Sequence, residues 1–455
     1  MRLLAILGLI LLATPTLADP VDRVILISVD GLRGDLLSGL LANDVNGDYA
    51  NFQRLVDEGS STFNARTDYT HTVTLPNHAS MITGRPVLQP VGQPVTTYHG
   101  YTSNSTPGPT DTLHNVGNPN VAYITGVFDV AHDHGLSTAL YASKSKFIIF
   151  DQSYNETSGA PDVTGPDNGA DKIDTFLTVS SGSPSNASLM QASFMAALAA
   201  DPAQFNFVHY RDPDSAGHAS TWGSVAWNTS VQAVDGYLGE LLDFVEANPI
   251  LLGRTVIILT TDHGGTGFGH NDATDVRMYT IPFFVWGTGV DVGADLYALN
   301  PTRLEPGAGR PDYNAMAPIR NGDSGNLALS LLGLPAIPGS TIGATLDFNV
   351  TAPVSNLPGS SAPERLVLTA YPNPFNPMTT IEFELPRAER ARLGVYDMGG
   401  RLVRELVSGS MLNEGQHIAV WRGDDKSGSA VPAGVYFYRL DAGNLSETKR
   451  VVLVK

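Results

Sequence analysis

The sequence predicts an α/β domain, a mostly parallel sheet sandwiched by helices, followed by a smaller all-β sandwich. Three observations carry this. From Val24 to about Ile342 short β-branched runs alternate with amphipathic helical stretches. Residues 351–364, "TAPVSNLPGSSAPE", lack periodicity and are rich in Pro, Ser and Gly, as a linker is. Beyond them the texture changes to short alternating strands separated by turn signals, as in "TTIEFELP" and "GVYFYRLDAG".

The predicted strands of the first domain are Val24–Val29, Thr138–Tyr141, Asn206–Tyr210, Thr255–Thr261 and Ile281–Trp286. They are predominantly apolar, as strands covered on both faces are. The predicted helices include Phe52–Glu58, Val127–His134, Val225–Glu246 and Asn326–Leu332. In the longest, Val231, Val234, Leu238, Leu241, Leu242 and Val245 recur at helical spacing and define a buried stripe. The stretch "PIRNGDSGNLALSLLGLP" reads as a buried helix that closes the domain. Between Val87 and about Pro119 runs a long Pro/Gly/Thr-rich segment, and a loop of that length inside a domain is functional or mobile. Asp44, Asn46 and Asp48 resemble the start of a calcium loop, but Leu55 stands where its glutamate belongs, so the stretch reads as a turn.

The 455-residue chain opens with Arg2, an apolar run from Leu3 to Ala13, and the small-residue site Thr16-Leu17-Ala18. This predicts a signal peptide over 1–18, with the α/β domain over 19–350 and the sandwich over 365–455. The apolar run is too short for a bilayer span and no later segment predicts a transmembrane helix. With no cysteine, disulfides and thiolate metal sites are excluded, so any metal is held by nitrogen and oxygen. A net charge of −18 argues against stable nucleic-acid binding, although a bound cation would still admit an anionic substrate.

Several strand ends finish on acids. "VILISVDG" puts Asp30 at the end of the first strand, "FVHYRDPDSAGH" follows another with Asp214 and His218, and "VIILTTDHGG" ends a third with Asp262 and His263. Ligands gather beyond the carboxyl ends of such strands. "DHGGTGFGH" adds His270 across a glycine-rich turn. Singly, each is as readily a turn, cap or hydrogen-bonded bystander. Together they form an oxygen/nitrogen set large enough for two divalent ions, Zn²⁺ best and Mn²⁺ less specifically. Two such ions form the clamp used for in-line displacement at phosphorus. In "TVTLPNHASMITG", Thr74 has two readings, a helix start with Pro76 in the first turn and Gly84 at the end, or a nucleophile.

"VILISVDGLRGDLL", "TLPNHASMITG", "DPDSAGH" and "TTDHGGTGFGH" stand in an order that resembles the alkaline phosphatase superfamily, and most its type I phosphodiesterase/nucleotide pyrophosphatase branch, over about 22–345. The resemblance implies an alkaline-phosphatase-like fold and two zinc ions, one held by Asp214, His218 and His270, the other by Asp30, Asp262, His263 and the Thr74 hydroxyl. It implies Thr74 as nucleophile and a small phosphate ester or nucleotide as substrate. It implies that Asn104, in "YHGYTSN", donates to a phosphoryl oxygen, where the bland reading is a surface asparagine. His78 is left outside both ligand sets.

Lys144 and Lys146 in "YASKSKF" depart from the phosphodiesterase pattern, falling where a threonine-using monoesterase subgroup carries Lys-x-Arg. They leave a diesterase and a phosphomonoesterase both open, beside a non-catalytic cell-surface binding protein. The last domain, with "YPNPFNPMTTIEFELP" and "KRVVLVK", resembles FlgD-like immunoglobulin and type IX secretion sorting domains. That implies the secretion machinery as a partner and a secreted or cell-surface, bacterial protein.

Overall fold

The computed structural model describes residues 21–157, 170–179, 186–352, 367–371, 373–385, 389–398, 400–413, 415–443 and 445–454. The expected signal peptide and nearly all of the expected linker lie outside the described residues. The chain divides into two compact units, Met1–Pro353 and Val354–Lys455.

The first unit is built on an eight-stranded sheet of β1 (Arg23–Val29), β2 (Ser60–Arg66), β3 (Thr138–Ala142), β4 (Thr175–Thr178), β5 (Phe205–Tyr210), β6 (Thr255–Thr260), β7 (Thr280–Gly287) and β8 (Ala294–Asp295), in the order β4-β3-β5-β1-β6-β7-β2-β8. From β4 to β6 every pairing is parallel, whereas β7 runs antiparallel to both β6 and β2. The reversal is local, since the short helix Val276–Tyr279 feeds directly into β7. Strand β1 shows why the sheet is buried on both sides. Its Val24 and Leu26 join one apolar core, while Ile25, Ile27 and Val29 join the other.

Helix Val225–Ala247 starts where the Ser224 hydroxyl accepts from the Trp227 amide, and buries Val231, Val234, Leu238, Leu241, Leu242 and Val245. Helix Asp323–Leu331 is buried from Asp323 through Leu329. Asp44 accepts from the amides of Asp48 and Tyr49, so its stretch is a turn. The long segment after Val87 holds one short helix, Leu113–Val116, and is tied down by backbone bonds such as His99 to Pro86.

The second unit has two antiparallel sheets. One orders Gly415–Trp421, Thr379–Leu385 and Val367–Tyr371, and the other Leu402–Leu412, Glu389–Tyr396, Gly434–Ala442 and Leu445–Leu453. Ile381, Phe383 and Trp421 from the first sheet and Leu393, Val395 and Leu440 from the second share one core. This is the sandwich predicted.

Candidate metal centre

Register places the chemistry. Ser28 pairs with His209 on one side and Thr260 on the other, so β5, β1 and β6 end at one level. The chain leaves these strands at Asp30, Asp214 and Asp262, and the Asp214 amide donates to the Asp30 carbonyl at 3.0 Å. Gly31 makes that approach possible. Its φ is +70°, and a Cβ there would lie 2.9 Å from the Asp214 backbone.

Two clusters of ligand atoms result. His263 Nε2 lies 3.1 Å from Asp262 Oδ2 and 3.5 Å from Asp30 Oδ1. On the other side, Asp214 Oδ1 lies 3.3 Å from His218 Nε2 and 3.6 Å from His270 Nε2, and the two nitrogens are 3.1 Å apart. The rings of His263 and His270 stack at 3.6 Å, so the clusters share a wall. Six of the seven expected ligands, the three acids and three histidines, are therefore together.

The orientation of each histidine is fixed from outside. His218 Nδ1 is 2.8 Å from the Phe268 carbonyl, His263 Nδ1 2.8 Å from that of Gly264, and His270 Nδ1 2.6 Å from that of Thr72. A carbonyl only accepts, so each Nδ1 carries a proton and each Nε2 can offer its lone pair inward. The glycine-rich hairpin that delivers His270 closes through paired Thr266 and Gly269.

Asp30 Oδ1, Asp214 Oδ1, Asp262 Oδ2 and His263 Nε2 are buried without a hydrogen-bond partner. An unsatisfied buried polar atom costs roughly 1–3 kcal/mol. Four converging acceptors with no donor fit a divalent cation, and the donor set of carboxylate oxygen and imidazole nitrogen suits Zn²⁺. Burial and the Asp262 charge would raise the Asp30 carboxyl, yet Lys144 and His209 hold it well below the usual range. Burial opposes protonation of His263, but the surrounding carboxylates raise it to about 9, a measure of how strongly this spot attracts positive charge.

Thr74 is the first residue of a buried helix, Thr74–Thr83, which ends at Gly84 with φ +60°. Two residues earlier, Thr72 holds the His270 ring, and one turn later Asn77 accepts from Asn321, which also reaches the Thr261 carbonyl beside Asp262. The helix start is thus bound to both clusters. His78 Nδ1 meets the Thr74 carbonyl at 2.7 Å and Nε2 meets Ser28 Oγ at 2.8 Å, so neither nitrogen is spare. Burial lowers this ring to about 3, leaving it neutral.

Asn104 arrives at the same helix start, its side-chain carbonyl accepting from the Leu75 amide at 3.0 Å and from Lys146 Nζ at 2.8 Å. Lys144 Nζ lies 2.5 Å from Asp30 Oδ2 and 2.7 Å from Asp214 Oδ2. Both lysines, with Thr106, Ser145 and Arg211, line a pocket of about 200 Å³. They follow β3, which is paired on both sides, and are not solvated edge residues.

Several residues at the centre escape sequence reasoning. His209 Nε2 meets Asp30 Oδ2 at 2.9 Å, and the Trp222 indole donates to the Gly31 carbonyl at 2.9 Å. His209 looked like any strand residue. Its one signal was its place near the end of β5, on the strand that leads into Asp214.

The family model for type I phosphodiesterase / nucleotide pyrophosphatase matches residues 24–280, which contain every strand-end ligand. The chain belongs to this family. As a member it is a hydrolase of phosphoric ester bonds. A secretion system C-terminal sorting domain matches residues 369–455. Among curated proteins, the chain is similar to GPI ethanolamine phosphate transferase 1 of Mus musculus, 29% identical over 136 residues, covering 28% of this chain and only 14% of that protein. Among solved structures, it is similar to an inactive variant of murine ectonucleotide pyrophosphatase / phosphodiesterase 5 in complex with AMP, with 14% identity, 70% and 96% of the two chains covered and a TM-score of 0.46. A variant of the alkaline phosphatase PafA shows 14% identity, 72% and 98% coverage and a TM-score of 0.48.

Proposed function

We propose that this member of the phosphodiesterase family is an exported two-metal hydrolase with Thr74 as nucleophile, acting on a phosphodiester or nucleotide pyrophosphate. The observation that carries the reading is the set of four unpartnered buried ligand atoms converging beside the Thr74 helix. Asp214, His218 and His270 would hold one ion, and Asp30, Asp262, His263 and the Thr74 hydroxyl the other. Bound zinc supplies Lewis acidity and lowers the pKa of a coordinated hydroxyl or water.

The chain's own groups do the rest. The Thr74 hydroxyl loses its proton and attacks phosphorus in line, and the bond to the leaving oxygen breaks as that oxygen gains a proton. Water then cleaves the phospho-Thr74 ester, restoring the hydroxyl and releasing a phosphate monoester. A helix N-terminus favours negative charge at such a position. With the Asn104 carbonyl engaged by Leu75 and Lys146, its NH₂ is the part left to donate to a phosphoryl oxygen.

A second reading, a phosphomonoesterase, is favoured by Lys144 and Lys146, because a monoester dianion needs more positive charge than a diester does. Rates on bis(p-nitrophenyl) phosphate and p-nitrophenyl phosphate separate the two. On either reading, Thr74→Ala lowers hydrolysis by roughly three orders of magnitude or more. Full activity in that variant, or after chelation, overturns the proposal. The sorting domain supports delivery to the secretion machinery and a secreted or surface-held product, with residues 1–18 as signal peptide and 351–364 as linker. Among the described residues no helix is long and apolar enough to cross a membrane.

A further inference from the structure

Helix Asp212–Ser220 has two faces. Asp214 and His218, four residues apart, turn toward the metal centre. Asp212 is displaced from Asp214 by two residues, or about 200° around the axis, so it faces the other way together with Ala216 and Ala219. Opposite them, helix Val225–Ala247 presents Ala226, Ala233 and Tyr237, and the space between is a surface pocket of about 680 Å³. That lies within the range of roughly 300–1,000 Å³ typical of small-molecule sites. Four alanines leave it open, and Ser215, Ser220, Thr229 and Ser230 line it beside them.

One end of the pocket carries an unsatisfied carboxyl group. Asp212 is about nine-tenths buried, and its Oδ2 has no hydrogen-bond partner among the described residues. Arg211 also lines the pocket but makes no hydrogen bond to that oxygen, its Nε donating instead to Ser215 Oγ at 2.9 Å. A buried carboxylate without a donor is costly, so the occupant should bring N–H groups and positive charge. A metal ion is a poor match, since Asp212 is the single carboxylate among the described lining residues and a hard divalent cation takes several charged or carbonyl oxygens. The Tyr237 ring, stacked on Tyr210 at 5.5 Å, adds an aromatic face that suits a cation.

We infer that this pocket is a second small-molecule site, separate from the metal centre, which takes an organic amine with its ammonium on Asp212 and its apolar body over the alanines and Tyr237. The test is calorimetric titration of the full, metal-loaded protein with hexylamine, phenethylamine and tryptamine, each against the alcohol of the same shape. At least one amine is expected to bind saturably, at least about tenfold more tightly than its alcohol. Asp212→Asn and Ala233→Phe, the second filling the pocket, should each weaken it by about tenfold or more while the protein stays folded and keeps wild-type diester hydrolysis. The inference is overturned if amine and alcohol bind alike, or if Asp212→Asn leaves amine binding unchanged. It is equally overturned if the amine competes with the diester, or if no amine saturates up to about 10 mM.

Discussion

The ammonium of Lys144 stands 2.5 Å from Asp30 Oδ2 and reaches Asp214 Oδ2 with the same atom, spanning the two ligand clusters. It holds the carboxylate oxygens that do not face the metal positions, and burial, which would neutralise it, is outweighed by Asp30 and Asp214. A cation so placed serves the most highly charged phosphoryl group best. Lys144→Ala is therefore expected to lower kcat/KM for p-nitrophenyl phosphate by roughly 10- to 100-fold, the worth of a hydrogen bond to a charged group. The diester should lose only a fewfold. Steady-state kinetics on both substrates reads the difference, and an equal loss would make Lys144 a holder of the carboxylates instead.

Metal content discriminates ligand from neighbour. Asp262→Asn and His263→Gln remove atoms that point into a cluster, whereas His78→Gln removes a ring whose nitrogens already serve Ser28 and Thr74. Elemental analysis should find about one ion per chain lost in the first two variants and none in the third. Chelation should lower the melting temperature of the wild type, and zinc at a thousandfold excess over Kd should return about 4 kcal/mol.

How much of this was legible in the sequence differs by element. The central strands could be read because both faces are buried, so β1 is apolar at Val24 through Ile27 without exception. The candidate ligands could be read as one cluster because strand ends bring them together whatever the loops do. Strand β7 is antiparallel, and nothing in "IPFFVW" encodes direction, which is set by the short connection before it. Helix Asn186–Ala200 buries Met190, Phe194 and Leu198 beneath a mostly alanine surface, so its stripe is faint. His209 and the bridging place of Lys144 depend on contacts across sheet neighbours more than sixty residues away, which no local pattern carries.

Lys146 sets a pH dependence. Burial, reinforced by the charge of Lys144, lowers its ammonium to about 8, and divalent cations alongside would push the same way. The amine is charged below that value and neutral above it, so its attraction for an anion is present at lower pH and lost as pH rises. Monoester kcat/KM should accordingly show a falling limb near pH 8 that the diester lacks. Lys146→Arg, whose guanidinium stays charged, should move that limb to higher pH in a pH–rate profile. Stability runs the other way. The free lysine binds its proton more readily than the folded one, so this group's contribution to stability rises as pH climbs from about 8 toward the ordinary lysine value.

Asp68 links the Thr74 helix to the loop that brings Asn104. Its carboxylate accepts from the Thr70 amide at 2.7 Å, the Thr70 hydroxyl at 2.6 Å, the Val87 amide at 3.0 Å and the Tyr313 hydroxyl at 2.6 Å. Burial would raise this carboxyl, but the donors win and hold it below its ordinary value. Its stability is therefore fully present above the unfolded carboxyl's pKa and lost as pH falls through the lower folded value. Asp68→Asn keeps the shape but replaces charged acceptors with a neutral amide, and should cost about 2–4 kcal/mol near neutrality, read from urea midpoints. The gap from wild type should narrow as the pH is lowered, because both side chains then become neutral. Since Val87 opens the segment that carries Asn104, diester turnover in this variant should fall even where the protein remains folded, and Asp68→Glu should restore neither midpoint nor rate, because an added methylene cannot meet these donors and the His71 amide together in a closed site.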